Sequence, residues 1–344
     1  MSNNDFMEKN GPEQFKTVLE TQRNFGRMLS EMDADELASY VPDFGKPFST
    51  CPHGLYNSQI LYKGYDYHDE STFETCYDTK VYRHYIAQGK YDHKLDETLA
   101  RALHDHFVTH ALYKMLEKYD EKVVVGVMGG HAKRRDDPGY RQIVFLSKKL
   151  TEMGRLMVTG GGPGAMEATH LGAWMAGRSE AETNEAVDML MPSPTFKDEG
   201  WLRRSFEVME RFPLKTEYHS LAIPTWYYGH EPTAPFATDI AKYFDNSVRE
   251  DGIVTIAKGG IIYTPGSAGT MQEIFQDAGQ NHYESVGFAS PMIFMGKDYY
   301  TNYMPAYTLL KDLSDRGIFK NMLLTISDDN DEIIDAIVRF KEGK

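Results

Sequence analysis

Two glycine-rich segments of this chain have the composition and the setting of anion-binding loops. The first, Thr159–Ala168, reads T-G-G-G-P-G-A-M-E-A and lies between a predicted strand and a predicted helix. Glycine lets the backbone turn sharply and approach a ligand, and the free N–H groups at a helix start attract an anion. The pattern predicts a phosphate-binding turn; a tight turn that holds no ligand is the alternative.

The second segment, Thr264–Glu273, reads T-P-G-S-A-G-T-M-Q-E and also joins a predicted strand to a predicted helix. Because the carboxyl ends of parallel strands lie along one sheet edge, both turns can converge on a single crevice. Neither segment is a Walker A sequence, and neither is a G-x-G-x-x-G fingerprint with an acidic residue about 20 positions on. ATPase and dehydrogenase functions are therefore disfavoured, and a small phosphorylated ligand is expected.

Two charged residues accompany the second turn. Glu273 follows Gly269 by four residues, so its carboxylate is expected about one helical turn from the phosphate-binding amides. Arg249 closes the preceding predicted helix. Each has a structural alternative, because an acid in a first turn and a base in a last turn both stabilise the helix dipole. The sequence pattern leaves catalysis and helix stabilisation open for both residues.

From residue 121 onward, strand and helix patterns alternate, which predicts a doubly wound, Rossmann-like α/β domain over residues 121–344. The predicted strands are Val123–Met128, Leu156–Thr159, Val187–Met191, Leu221–Trp226, Gly260–Thr264, Met292–Met295 and Met322–Ser327. The predicted helices are Tyr140–Met153, Gly164–Ala176, Trp201–Glu210, Thr238–Arg249, Gly269–His282, Tyr303–Asp315 and Asp331–Lys341.

Residues 1–120 are predicted to form a separate N-terminal region, mainly helical with irregular stretches. Helices are expected over Gln14–Met32, Asp33–Tyr40 and His93–Tyr119, and the tyrosine-rich stretch Pro47–Lys90 shows no clear period. The apolar side of the third helix is predicted to carry Leu95, Leu99, Leu103, Phe107 and Leu112.

The composition argues against several partners. The formal net charge of −14 over 344 residues would repel a nucleic-acid backbone, so no nucleic acid is expected to bind. Two cysteines, Cys51 and Cys76, are too few for a disulfide framework or a four-cysteine zinc site. No signal peptide and no apolar run of about 18 residues is evident, so a cytoplasmic location without membrane association is expected.

Histidines and basic residues offer weaker signals. His106 and His110 lie four apart on one predicted helix beside His104, but the glutamate of a metalloprotease motif is absent, and no metal or cofactor is predicted. The run Lys133–Arg135 either steers phosphate toward the crevice or is a solvated basic loop.

Taken together, these segments resemble the Lonely Guy family of phosphoribohydrolases, long mistaken for lysine decarboxylases, whose motif is P-G-G-x-G-T-x-x-E. The counterpart here is Pro265–Glu273. The resemblance is strongest to the bacterial pyrimidine/purine nucleotide 5′-monophosphate nucleosidases, through Gly129–His131, Gly162–Ala168 and Ile256–Ile262. It covers roughly residues 123–295.

The resemblance implies hydrolysis of a nucleoside 5′-monophosphate to a free base and ribose 5-phosphate, without a metal. It implies that Arg249 and Glu273 form the catalytic pair, and that the protein is a homo-oligomer, a dimer or tetramer. The residues that it assigns to substrate and phosphate binding are Gly129, Gly130, His131, Gly161, Gly162, Gly164, Met166, Glu167, Pro265, Gly266, Ser267, Ala268, Gly269 and Thr270.

This sequence departs from the family pattern at two places. Ser267 replaces the second glycine of the motif, which is compatible with binding if that position does not need a positive φ. The stretch Pro224–Asp245 is about twenty residues longer than expected; it is either a lid or base-binding loop, or a segment that packs on the surface or makes a subunit contact. The main alternative function is a non-catalytic nucleotide- or molybdenum-cofactor-binding protein of the same fold; a scaffold with a decayed pocket is a third.

Overall fold

A computed structural model of the protein describes residues 32–91 and 94–342, together with four isolated helical positions, Lys16, Glu20, Arg23 and Gly26. The predicted helix Gln14–Met32 therefore lies almost entirely outside the described residues. A short helix, Ala34–Ala38, confirms the expectation for Asp33–Tyr40, and its first turn is closed by a capping box between Asp33 and Glu36.

Seven parallel strands form one sheet. They are β1 (Val124–Met128), β2 (Leu156–Thr159), β3 (Ser220–Ala222), β4 (Asp239–Ile240), β5 (Ile261–Tyr263), β6 (Pro291–Phe294) and β7 (Leu323–Ile326). Their order is β4-β3-β2-β1-β5-β6-β7, so the chain builds outward from β1 in one direction and from β5 in the other. The doubly wound α/β fold is confirmed, and its topological switch point lies between β1 and β5, where such sheets bind ligands.

Helices flank the sheet on both sides. They are α1 (Ala34–Ala38), α2 (Ser58–Leu61), α3 (Tyr77–Gln88), α4 (Leu95–Leu116), α5 (Pro138–Glu152), α6 (Ala165–Trp174), α7 (Glu180–Leu190), α8 (Trp201–Arg211), α9 (Asn246–Ile256), α10 (Ala268–Tyr283), α11 (Ala306–Asp315) and α12 (Asn330–Glu342). The side chains of β1 alternate between two hydrophobic clusters, as the pleat of a strand requires. Val125 and Val127 pack with α5–α8 and α12, whereas Val124 and Met128 pack with α4 and α9–α11.

Two predicted elements of the α/β domain are wrong. The predicted strand Val187–Met191 lies in α7, which a capping box starts at Ser179 and which buries Val187 on a helical face. The predicted helix Thr238–Arg249 instead contains the edge strand β4, and α9 begins only after Asp245, whose side chain accepts from the Ser247 N–H. Arg249 therefore lies in the first turn of a helix and not in its last.

Parts of residues 44–91 and 94–116 pack directly on one face of the sheet. Phe48, Tyr56 and Val81 belong to the same hydrophobic cluster as Val124 and Met128 of β1. The described parts of the N-terminal region and of the α/β region thus share a core, and the division into two domains stays a prediction. Across the described ranges, none of the helices combines the length and the apolarity that a bilayer span requires.

Helix α4 buries a different face from the predicted one in its first half. Leu95 is 80% exposed, whereas Glu97, Arg101 and His104 are buried. Glu97 accepts from the Arg101 Nε at 2.9 Å and also contacts His84 and Lys46, so the buried charges are paired. Farther along, Phe107 and Leu112 are buried as predicted.

Candidate active-site cleft

A cleft of about 390 Å³ lies beyond the carboxyl ends of β1 and β5, at the switch point of the sheet. This volume falls within the range of about 300–1,000 Å³ that is usual for small-molecule sites. Three of its walls come from the loop after β1, the loop and helix after β5, and the first turn of α9. The lining residues are Val127, Met128, Gly129, Gly130, His131, Gly160, Met166, Tyr228, His230, Glu231, Arg249, Glu250, Ser267, Gly269, Thr270 and Glu273.

The loop after β5 presents an uncapped helix start to this cleft. Ser267 is the N-cap residue of α10, and its side chain makes no capping hydrogen bond. Its φ of −120° needs no glycine, so the replacement of the family glycine by Ser267 costs no backbone strain. Ser267 and Gly269 are exposed, whereas Thr270 is buried against the loop. Free N–H groups at the positive end of a 16-residue helix form a site suited to a phosphate.

Arg249 reaches the cleft from the opposite wall. Its side chain is 11% exposed, and its Nε donates to the carbonyl oxygen of Ile223 at 2.9 Å. The guanidinium lies directly over the Cα of Gly160, because a Cβ built at that position would be 2.1 Å from Nη2. Glycine at position 160 is therefore what allows the arginine to take this position.

Glu273 lies in the second turn of α10, on the same cleft as Arg249. Burial raises the pKa of its carboxyl group from 4.5 to about 7, an effect that the positive charge of Arg249 opposes and the negative charge of Glu250 reinforces. Glu250 accepts a hydrogen bond from Gln272 Nε2 at 2.8 Å, which links α9 to α10. A carboxyl group that titrates near neutral pH inside a cleft is typical of catalytic sites.

The long stretch Pro224–Asp245 contributes part of the remaining wall. Tyr228, His230 and Glu231 line the cleft, whereas Trp226 is fully buried and donates from Nε1 to Asp78 at 2.8 Å. One part of the segment therefore packs in the core and another part faces the cleft, and its role as a lid or base-binding loop stays a prediction.

The cleft brings together both predicted catalytic residues and seven of the predicted binding residues. Those seven are Gly129, Gly130, His131, Met166, Ser267, Gly269 and Thr270. The other predicted binding residues are not among its lining residues. They are Gly161, Gly162, Gly164, Glu167, Pro265, Gly266 and Ala268.

The first glycine-rich loop is mostly buried and supports its neighbours. The Gly161 N–H donates to the Thr159 Oγ1 at 2.9 Å, and the Ala165 N–H at the start of α6 is directed at the Gly130 carbonyl oxygen at 3.4 Å. The first amide of α6 therefore already faces a protein oxygen, whereas the start of α10 has no side-chain cap.

Glu167 is fully buried and already has partners. It forms an ion pair with Arg135 and accepts from the Tyr140 hydroxyl at 3.0 Å. Its predicted role in substrate binding does not fit this placement, because no carboxylate oxygen faces the cleft. Arg135 is likewise unable to steer phosphate from a buried position, and Arg134 is paired with Asp136 at 2.7 Å.

Sequence reasoning missed two lining residues that matter. Gly160 belongs to the first glycine run, but only the packed position of Arg249 shows why glycine is needed there. Glu231 lies next to His230 in the long insertion, and nothing in its spacing signalled a site. For metal binding, the part of the chain that the structure describes contains no group of three or more acidic, histidine or cysteine ligands.

Comparison with known proteins gives distant structural similarities, of which one is described below. No protein-family model matches the chain, and none of the curated proteins matches it. The chain is similar to the molybdenum cofactor binding protein from the phototrophic bacterium Rippkaea orientalis, with 16% identity over 62% of this chain and 96% of that chain, at a TM-score of 0.38. A similarity this distant says nothing about ligand or activity, and the resemblance to the Lonely Guy family remains a prediction from its motif.

Proposed function

We propose that the protein is a nucleoside 5′-monophosphate phosphoribohydrolase of the Lonely Guy type, which hydrolyses the N-glycosidic bond to release a free base and ribose 5-phosphate. The observation that carries this proposal is the shared cleft: Arg249, Glu273 and the uncapped start of α10 all face the same space at the switch point.

The phosphate is expected to bind at the start of α10. Ser267 and Gly269, which are both exposed, would contact it through backbone N–H groups beside the Gly129–Gly130 turn, and Thr270 adds a hydroxyl group. This arrangement recognises a phosphate through backbone donors and the helix dipole, so it works in a protein with a net charge of −14.

The ribose would then lie next to Glu273. Cleavage of an N-glycosidic bond develops positive charge on the sugar, which a nearby carboxylate stabilises. The ionised carboxylate also accepts the proton of the water that attacks C1′. Arg249 balances the charge of the carboxylate and orients the substrate from the opposite wall. Only the ionised form of Glu273 can fill this role, so the reaction requires a pH near or above the raised pKa of about 7.

The direct test is a screen of AMP, GMP, CMP and UMP, with the free base and ribose 5-phosphate measured as products. Glu273→Gln should abolish product release while nucleotide binding stays measurable by calorimetry, because the phosphate site is on another part of α10. Turnover retained in Glu273→Gln would refute the assigned role. Tight nucleotide binding without any turnover by the wild-type protein would favour the non-catalytic nucleotide- or molybdenum-cofactor-binding alternative.

A further inference from the structure

We propose that His131 is the acid that protonates the leaving base, that Glu231 positions it, and that the substrates are purine nucleotides. This inference rests on the proposed function. It starts from two cleft residues that the mechanism above does not use and that come from distant parts of the chain.

His131 and Glu231 form a pair on the cleft wall. The Nδ1 atom of His131 is 3.3 Å from Oε1 of Glu231, and the two side chains are 50% and 17% exposed. The carboxylate is thus the more enclosed partner and the imidazole the more accessible one. With Nδ1 directed at the carboxylate, the ring is held in one orientation and Nε2 is left to face a ligand, which is the arrangement that a general acid needs.

The buried first glycine loop holds this pair in place. Gly164 has φ +72°, and a Cβ at that position would be 2.9 Å from the backbone carbonyl of His131, so the His131 backbone rests directly on this glycine. The Gly161 carbonyl accepts from the Ala234 N–H at 2.8 Å, which anchors the insertion that carries Glu231. The loop therefore serves catalysis as a support for the two side chains and not as a phosphate cradle.

Space for a two-ring base lies beside the pair. A second cavity, of about 680 Å³, shares His230 with the cleft and has Phe196, Tyr82 and Trp201 among its walls. The ring of Phe196 meets the His131 ring edge-on, at a centroid separation of 6.3 Å. Aromatic walls next to a proton donor fit a flat heterocycle with a ring nitrogen that accepts a proton, as N7 of a purine does.

The proposed step balances without a further reactant. The C1′–N9 bond breaks, and its electron pair stays with the purine, which takes a proton from Nε2 of His131. Water adds to C1′ and gives its proton to the carboxylate of Glu273. Exchange with solvent then returns the proton to His131 and removes it from Glu273, so the net reaction consumes one water.

The test compares GMP with N7-methyl-GMP, whose base carries a fixed positive charge and leaves without taking a proton. His131→Ala should lower kcat/KM for GMP by about 100- to 10,000-fold, the usual contribution of a general acid, and leave hydrolysis of N7-methyl-GMP nearly unchanged. Glu231→Gln should show a smaller loss with the same substrate dependence, and the double variant should be no worse than His131→Ala, because the two residues act as a unit.

The matched control is His219→Ala, which removes a histidine–carboxylate pair of the same kind, with Asp239 at 3.0 Å, just before β3 and away from the cleft. It should hydrolyse both substrates at the wild-type rate. Two results would overturn this inference and leave the proposed function standing. One is an equal loss of kcat/KM for GMP and for N7-methyl-GMP in His131→Ala. The other is a wild-type protein that hydrolyses pyrimidine nucleotides alone. Absence of any turnover by the wild type would instead refute the proposed function.

Discussion

Alanine at position 160 is expected to disable the cleft by displacing one guanidinium group while leaving the fold intact. The new Cβ would be 2.1 Å from Nη2 of Arg249 and 3.1 Å from the sulfur of Met166. Non-bonded heavy atoms pack at about 3.5 Å, so the guanidinium must withdraw by more than about 1 Å. A misplacement of about 1 Å in a catalytic constellation costs about 100-fold in rate, and we expect a loss of at least that size in kcat/KM.

The stability of Gly160→Ala should change little. The group that must move is the flexible end of a side chain, and its displacement loses about one hydrogen bond, worth about 1 kcal/mol. Alanine also restricts the unfolded chain, which stabilises a protein by about 0.4–1 kcal/mol where the backbone conformation allows it. The two effects nearly cancel, so the free energy of unfolding measured in urea should lie within about 1 kcal/mol of the wild-type value.

The assay measures product release from the best nucleotide substrate and urea unfolding for Gly160→Ala, Arg249→Ala and Gly252→Ala. Gly252 lies on the same helix as Arg249, and nothing lies within 4 Å of a Cβ built there, so alanine at that position should leave activity unchanged. Wild-type activity in Gly160→Ala combined with an inactive Arg249→Ala would show that the guanidinium does not need this position. Full activity in both would remove Arg249 from the mechanism.

Three further predictions concern carboxyl groups that are buried or partly buried. The pKa of Glu273 is about 7 in the folded protein and about 4.5 when exposed, so the folded state holds more protons between these values and its stability falls as the pH rises from 4.5 to 7. Glu273→Gln should avoid this loss and should be more stable than the wild type at pH 8, by on the order of 1–3 kcal/mol in the free energy of unfolding. Equal pH profiles of the two proteins in urea would contradict the burial argument. Burial also raises the pKa of Asp277 to about 7, but its hydrogen-bond partner is the Tyr263 hydroxyl group, at 2.7 Å and outside the cleft. Asp277→Asn should therefore keep the wild-type kcat/KM. A large loss of kcat/KM in this variant would place Asp277 in the mechanism. Glu167→Ala leaves the buried Arg135 unpaired and should lower the free energy of unfolding by about 3–5 kcal/mol, a change that a shift of less than about 1 kcal/mol in urea unfolding would refute.

The sequence by itself determined the strand and loop framework of the site. Three short apolar runs that end at glycine-rich turns correctly located β1, β2 and β5, at residues 123–128, 156–159 and 260–264. Such strands can be predicted because strand periodicity and helix starts are encoded in neighbouring residues. The switch-point crevice and the pairing of Arg249 with Glu273 on one cleft followed from those elements and from the motif.

Only the tertiary structure decided which side chains the cleft uses. Arg249 was expected at the end of a helix and lies in a first turn, because the cap at Asp245 outweighed the helical pattern before it. Glu167 lies in a conspicuous motif yet is buried in an ion pair, and Glu231 lies in an unremarkable insertion yet meets His131 across more than ninety residues of chain. Such placements depend on packing between segments that are distant in the sequence, so local residue patterns cannot predict them.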